Sequence, residues 1–258
     1  MIDSNYHTHT MRCKHAVGQE REYIEYAIKN GFKTLGFSDH VPQPFPDGYV
    51  SPIRMDMSQL DEYVDTLLAL KHEYAGRIDI LIGFEVEYYP AYFDKLIKEL
   101  RRRPETDYII LGQHNVDDEL TGAYSGSRTD DPVTLRRYVD NCIDGLKTGL
   151  FTYLAHPDLI YFTGDRGLFI NEMSRICEYT KAHDIPLELN IQGFELERNY
   201  PGEEFFKLAG KYGCRIILGI DAHRPDRVRQ PEEVKGLSEF ITRCNLKCSQ
   251  NLDLKSIH

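Results

Sequence analysis

Seven of the ten histidines in this chain stand where a metal ion could use them. His7 and His9 lie in Tyr6-His7-Thr8-His9-Thr10, and His15 follows closely. His40 closes Ser38-Asp39-His40, His114 closes Leu111-Gly112-Gln113-His114, and His156 sits in Ala155-His156-Pro157-Asp158. His223 ends Gly219-Ile220-Asp221-Ala222-His223. Nearly all come directly after a short apolar run. Imidazole is the commonest protein ligand for transition metals, and its neutral form needs no countercharge. Histidines that recur at one structural position point to a shared site and to a metalloenzyme.

Two carboxylates complete the set. Glu85, in Gly83-Phe84-Glu85-Val86-Glu87, ends an apolar run and can give one oxygen to each of two cations. Asp221 and His223 repeat the spacing of His7 and His9, which on a strand turns both side chains to one face. One ion with open positions takes roughly three or four protein ligands. Seven imidazoles and two carboxylates, some of them bridging, therefore suggest two or three ions. Each residue has a bland alternative. His156 could bond a carbonyl, Asp221 could cap a helix, and Glu85 could pair with a lysine. Together those alternatives require nine coincidences at one rim. His72 and His183, in or at the end of helical segments, and the terminal His258 are left outside the site.

The elements that must position these residues alternate between two periods. Strand-like runs fall at 34–37, 78–82, 108–111, 151–154, 186–189 and 215–218, with a weaker one before His7. Helical spacing marks 19–30, 56–74, 92–102, 132–149, 168–183, 203–212 and 231–243. Repeated strand–helix units predict parallel strands with right-handed crossovers. The expected ligands follow every strand except the sixth. Ends so far apart would not converge in an open sheet, whereas in a barrel they ring one mouth. The expectation is one α/β barrel domain over residues 1–258, with the Pro- and Asp-rich loop 41–55 overhanging that mouth.

Bulk properties agree with such a domain. Hydrophobic residues make up 41%, and the length is enough for a sizeable core. A formal net charge of −10 disfavours a nucleic-acid partner. Six irregularly spaced cysteines read as reduced thiols, and Cys244 and Cys248 lack further zinc ligands nearby. No apolar run is long enough to span a membrane, and the first residues carry no targeting pattern. A cytoplasmic protein with no membrane partner is expected. The oligomeric state is not legible.

These residues resemble the PHP family, named for polymerase and histidinol phosphatase. The resemblance runs in order from Tyr6-His7-Thr8-His9-Thr10 to Asp221-Ala222-His223-Arg224-Pro225. Cys13-Lys14-His15-Ala16-Val17-Gly18, Leu35-Gly36-Phe37-Ser38-Asp39-His40, Leu111-Gly112-Gln113-His114 and Leu187-Glu188-Leu189-Asn190 resemble its histidinol-phosphate phosphatase branch. The resemblance implies a distorted (β/α)7 TIM-like barrel. It implies His7, His9, Glu85 and Asp221 around one metal, Glu85, His114 and His156 around a second, and His15, His40 and His223 around a third. Zinc, iron or manganese would suit such ligands. It further implies a phosphomonoesterase acting on L-histidinol phosphate in histidine biosynthesis, with Arg198 holding the phosphate. The alternative for Arg198 is a surface group paired with Glu195 or Glu197. Asp39 would orient a metal-bound histidine or pass a proton through water. Asp158 or Glu197 would meet a substrate ammonium. The alternatives are a PHP phosphoesterase for another small ester, a phosphodiester or phosphotyrosine, and a non-enzymatic metal-binding barrel.

Overall fold

The computed structural model describes residues 1–258 except Asp47 and Asn251. Its strands are β1 (Ser4–Asn5), β2 (Thr34–His40), β3 (Asp79–Val86), β4 (Tyr108–Leu111), β5 (Leu187–Asn190), β6 (Arg215–Gly219) and β7 (Lys247–Ser249). All pairings are parallel, in the orders β1-β2-β3-β4 and β5-β6-β7. Leu154 bridges Leu111 on one side and Leu187 on the other, and Thr8 bridges Ala222. These single bridges close the two sheets into a distorted barrel, as expected.

Two strand expectations need correction. The run 151–154 is not a regular strand. It still lies between β4 and β5, where the Leu111 N–H donates to Tyr153 O and the Glu188 N–H to Leu154 O. The sharp turn into His156, at a φ of 27°, ends it before a full ladder forms. The strand β7 was not anticipated, because Lys247-Cys248-Ser249 is short and largely exposed.

The main helices are α1 (Glu20–Lys29), α2 (Leu60–Glu73), α3 (Phe93–Leu100), α4 (Pro132–Lys147), α5 (Arg166–Ala182), α6 (Ile191–Glu195), α7 (Glu203–Tyr212) and α8 (Leu237–Arg243). Their sequences explain their ends. The Asp131 carboxylate accepts from the Val133 and Thr134 N–H groups at the start of α4, with Pro132 in the first turn. Gln19 and Glu22 form a capping box on α1. Phe93, Leu96, Ile97 and Leu100 make the buried stripe of α3, at the spacing a packed helix requires. The expected helix 231–243 is instead a short turn at Pro231–Glu233 followed by α8. Helix α6 was missed, being only five residues long.

Apolar side chains fill the layer between helices and sheet. A smaller cluster of Tyr6, Tyr108, Ile110, Tyr153, Ala155 and Ile217 plugs the barrel interior. The Tyr108 hydroxyl donates to Tyr6 O at 2.7 Å, so this plug ties β4 to the first strand below the mouth. Among the described residues no helix is long and apolar enough to cross a membrane, and all six cysteines are free.

Candidate metal centre

Strand register brings the first donors together. His40 at the end of β2 stands opposite Glu85 on β3. Glu85 Oε2 lies 3.1 Å from His40 Nδ1 and 3.5 Å from both His7 Nε2 and His9 Nε2. Glu85 Oε1 turns the other way, 2.7 Å from His156 Nε2 and 3.5 Å from His114 Nε2. Asp221 Oδ1 is 3.1 Å from His9 Nε2 and 3.3 Å from His223 Nδ1. His223 Nε2 meets His15 Nε2 at 3.0 Å. All nine expected donors therefore gather at one mouth. Among the described residues, five groups have mutually close ligand atoms: His7, His9 and Glu85; Glu85, His114 and His156; His15, His40 and His223; His40, Glu87 and His114; and His9, Cys13 and His223.

This donor set fits divalent transition-metal ions. Two ring nitrogens that face each other at 3.1 Å, as in His7 and His9, cannot both carry hydrogen, whereas a shared cation satisfies both. His40 Nδ1 and Asp221 Oδ1 are buried and, despite these close neighbours, make no well-aligned hydrogen bond, a costly state unless another group engages them. Mixed imidazole and carboxylate ligands suit zinc, iron or manganese.

Charge and burial compete strongly here. Burial disfavours ionised His7, yet Glu188, Asp221 and Glu85 outweigh it and lift its pKa well above the usual range. Burial also opposes the charge on His9, but Asp221 and Asp39 raise it in the same way. His40 is held well below normal, by burial and then by His9 and His114 against Glu85. His15 falls to about 4 through burial and the adjoining His223 and His9. Glu85 and Asp221 stay ionised despite burial, because the surrounding imidazoles hold them well below the normal carboxylate range.

Most donor rings are fixed from behind. His7 Nδ1 meets Glu188 Oε1 at 2.7 Å, and His114 Nδ1 meets Glu87 Oε1 at 2.9 Å. His9 Nδ1 lies 3.4 Å from Asp39 Oδ1, and His15 Nδ1 bonds Cys13 O at 2.7 Å. His223 Nδ1 lies 3.0 Å from both Asp221 O and Gln192 Nε2, donating to the first or accepting from the second according to its tautomer. Such contacts select the tautomer and aim of a ligating imidazole. Room for the two innermost glutamates comes from glycine. A Cβ on Gly112 would collide with Glu85, and one on Gly219 would collide with Glu188.

A cavity of about 360 Å³ opens over the donors. Its metal-free wall includes Ile53, Tyr124, Gln192, Arg198 and Tyr200. Arg198 Nη1 donates to the Tyr200 hydroxyl at 2.6 Å, and its guanidinium carbon lies 5.8 Å from the Tyr200 ring centre.

The PHP-domain signature matches residues 5–192. The chain belongs to the PHP family. This PHP chain is 29% identical, over 236 residues, to the probable histidinol-phosphatase of Deinococcus radiodurans, covering 86% of each. It is 27% identical over 247 residues to the probable histidinol-phosphatase of Schizosaccharomyces pombe, covering 86% of this chain and 81% of that one. Its fold is similar to a histidinol phosphate phosphatase of Lactococcus lactis, solved with zinc, L-histidinol and phosphate. The TM-score is 0.72 at 18% identity, over 97% of this chain and 98% of the other.

Several placements in the PHP chain differ in detail from the sequence expectations. His7 and His9 lie just past β1 and flank Thr8, which pairs in parallel with Ala222, while Asp221 and His223 lie past the end of β6. Asp221 sits instead at a φ of 55°, which swings its carboxylate into the mouth. Asp39 is fully buried, accepting from the Thr10 N–H and hydroxyl and the His40 N–H. It backs His9 rather than the His40 ring. Arg198 does not depend on Glu195, which pairs with Arg227 and Arg229. Asp158 and Glu197 border a neighbouring cleft, not the cavity over the donors.

Sequence reasoning missed Glu87 and Arg54 altogether and gave Glu188 no role. Arg54 is buried in the loop after β2 and binds both Glu87 oxygens at 2.8 Å and Glu119 Oε2 at 2.7 Å. That loop does reach the mouth, through Ile53, while its residue Asp47 lies outside the described residues. Cys13 was read as an ordinary thiol, yet its sulfur stands within 4.8 Å of ring nitrogens of His9 and His223. An acid inside an apolar strand, as in Leu187-Glu188-Leu189, was the available signal for Glu188.

Proposed function

We propose that residues 1–258 form one barrel unit that hydrolyses L-histidinol phosphate to L-histidinol and phosphate. It would act as a cytoplasmic enzyme of histidine biosynthesis. The observation that carries this reading is the convergence of nine donors from separate strand ends on one cavity that Arg198 also lines. The names of the relatives matched along most of their length support the choice of substrate.

In this proposal His7, His9, Glu85 and Asp221 hold one divalent ion, Glu85, His114 and His156 a second, and His15, His40 and His223 a third. When bound, such ions supply an acidified water and positive charge against the phosphoryl oxygens. Glu85 is the residue on which the arrangement turns, since its two oxygens face different groups of imidazoles. Glu188, Asp39 and Glu87 keep His7, His9 and His114 in the tautomer that presents Nε2 to the cavity. Arg198 contributes planar donors suited to two phosphate oxygens at once.

The deciding measurement is phosphate release from L-histidinol phosphate beside a panel of phosphomonoesters, phosphodiesters and phosphotyrosine, with elemental analysis of the same preparation. Preferred turnover of L-histidinol phosphate by protein holding zinc, iron or manganese is expected. A preference for diesters, or folded metal-loaded protein that releases no phosphate from any monoester, would remove the reading.

A further inference from the structure

Hydrolysis of an alkyl phosphate leaves an alkoxide, a strong base whose departure is eased by a proton or by contact with a cation. Asp39 is sealed beneath His9, and Asp158 is buried on the adjoining cleft with its carboxylate accepting from the Gly202 N–H, so neither lines this cavity. The wall opposite the imidazoles offers another group. Tyr200 is buried, lines the cavity over Glu85 and Asp221, and has its ring 5.7 Å from that of His156. Its oxygen accepts a hydrogen bond from Arg198 at 2.6 Å. Arginine is only a donor, so this contact cannot use the phenol's own hydrogen. Among the described residues no protein acceptor takes that hydrogen, so it is free for a group entering the cavity.

We infer that Tyr200 is a catalytic residue that donates its phenolic proton to the leaving oxygen of the substrate. The inference rests on the phosphomonoesterase reading and on the place of Arg198 at the phosphate. An arginine holding one oxygen of a phosphoryl group brings the ester oxygen of the same phosphorus close to the donor bonded to that arginine. A weak acid of this kind matches a strongly basic alkoxide and is of little use to a weakly basic leaving group. In the step, a water oxygen forms the new bond to phosphorus while the bond from phosphorus to the ester oxygen breaks. The electron pair of that bond stays on the leaving oxygen, which takes the Tyr200 proton and departs as the alcohol. The proton released by the attacking water restores the phenol through solvent. Ester and water thus become alcohol and phosphate, and Tyr200 is unchanged.

The test compares L-histidinol phosphate with 4-nitrophenyl phosphate, whose leaving group departs as an anion at neutral pH. Tyr200→Phe should lower kcat/KM for the alkyl ester by roughly 100-fold or more, while the nitrophenyl ester stays within about threefold of wild type. The ratio between substrates is taken on one preparation, so it is independent of the folded fraction. Equal loss on both substrates would mean that Tyr200 only binds the phosphoryl group, and would overturn the role. No loss on either would overturn it too. Wild-type protein inactive on both esters would sink the phosphatase reading and the inference with it, an outcome distinct from a failed ratio.

Discussion

The loop over the mouth is tied down by one buried cation, and that tie can be cut. Arg54 is 1% exposed and Glu87 is fully buried. Three nitrogens of Arg54 bind Glu87, Glu119 and Val41 O. Burial alone would raise the Glu87 carboxyl, but Arg54 and His114 bring it down to about 2. Arg54→Met keeps much of the aliphatic stem and removes the charge, leaving Glu87 with His114 as its remaining side-chain partner of consequence. Stranding one member of a buried ion pair costs about 3–5 kcal/mol. That is a large part of the ~5–15 kcal/mol that holds a domain together. At about 2–4 °C per kcal/mol for a chain of this size, Tm should fall by roughly 6–20 °C. Thermal unfolding would be followed by circular dichroism in excess chelator, so that metal binding does not mask the loss. Adding Glu87→Gln removes the stranded charge, and the double variant should recover part of the stability. A single variant that melts within about 2 °C of wild type, or a double variant no better than the single, would refute the account of this pair.

Three further outcomes are expected. Glu85→Gln should lose metal and activity together, measured by elemental analysis and phosphate release, because one carboxylate serves two groups of imidazoles; full activity would count against the bridging role. Arg198→Ala should leave metal content unchanged and reduce kcat/KM by roughly 30- to 150-fold, the worth of a charged hydrogen bond of about 2–3 kcal/mol. An unaltered kcat/KM would take Arg198 out of the site. Chelation should abolish turnover and lower the unfolding temperature, with both restored by added divalent cation; activity that persists in metal-stripped protein would contradict the proposed chemistry.

The donors were legible because a ligand at a strand end follows an apolar run, and His40, Glu85 and His114 each do. The barrel was legible for the same reason, since parallel strands buried on both faces read as short unbroken apolar stretches. What stayed hidden was pairing. Nothing in Glu188 or Glu87 announces that each backs a particular histidine, because the partners are brought together only by the folded barrel. Arg54 lies in a stretch whose prolines and acids signal an exposed loop, and tertiary contact alone reveals its burial. The segment 151–154 and Lys247–Ser249 failed in opposite directions: one has strand composition and only isolated bridges at Leu154, the other has a ladder and a polar, exposed sequence.

The absence of side chains at Gly112 and Gly219 has a consequence for anyone reshaping this barrel. Each position owes its identity to a carboxylate reaching across from a neighbouring strand, not to a bend in its own backbone. Even alanine at 112 would evict Glu85 from its seat, and alanine at 219 would dislodge the glutamate that steadies His7. Libraries aimed at new metals or new esters therefore gain nothing by diversifying these two sites. Latitude lies on the opposite wall, around Ile53 and Tyr124, where a changed side chain meets the incoming molecule before it meets the ligands.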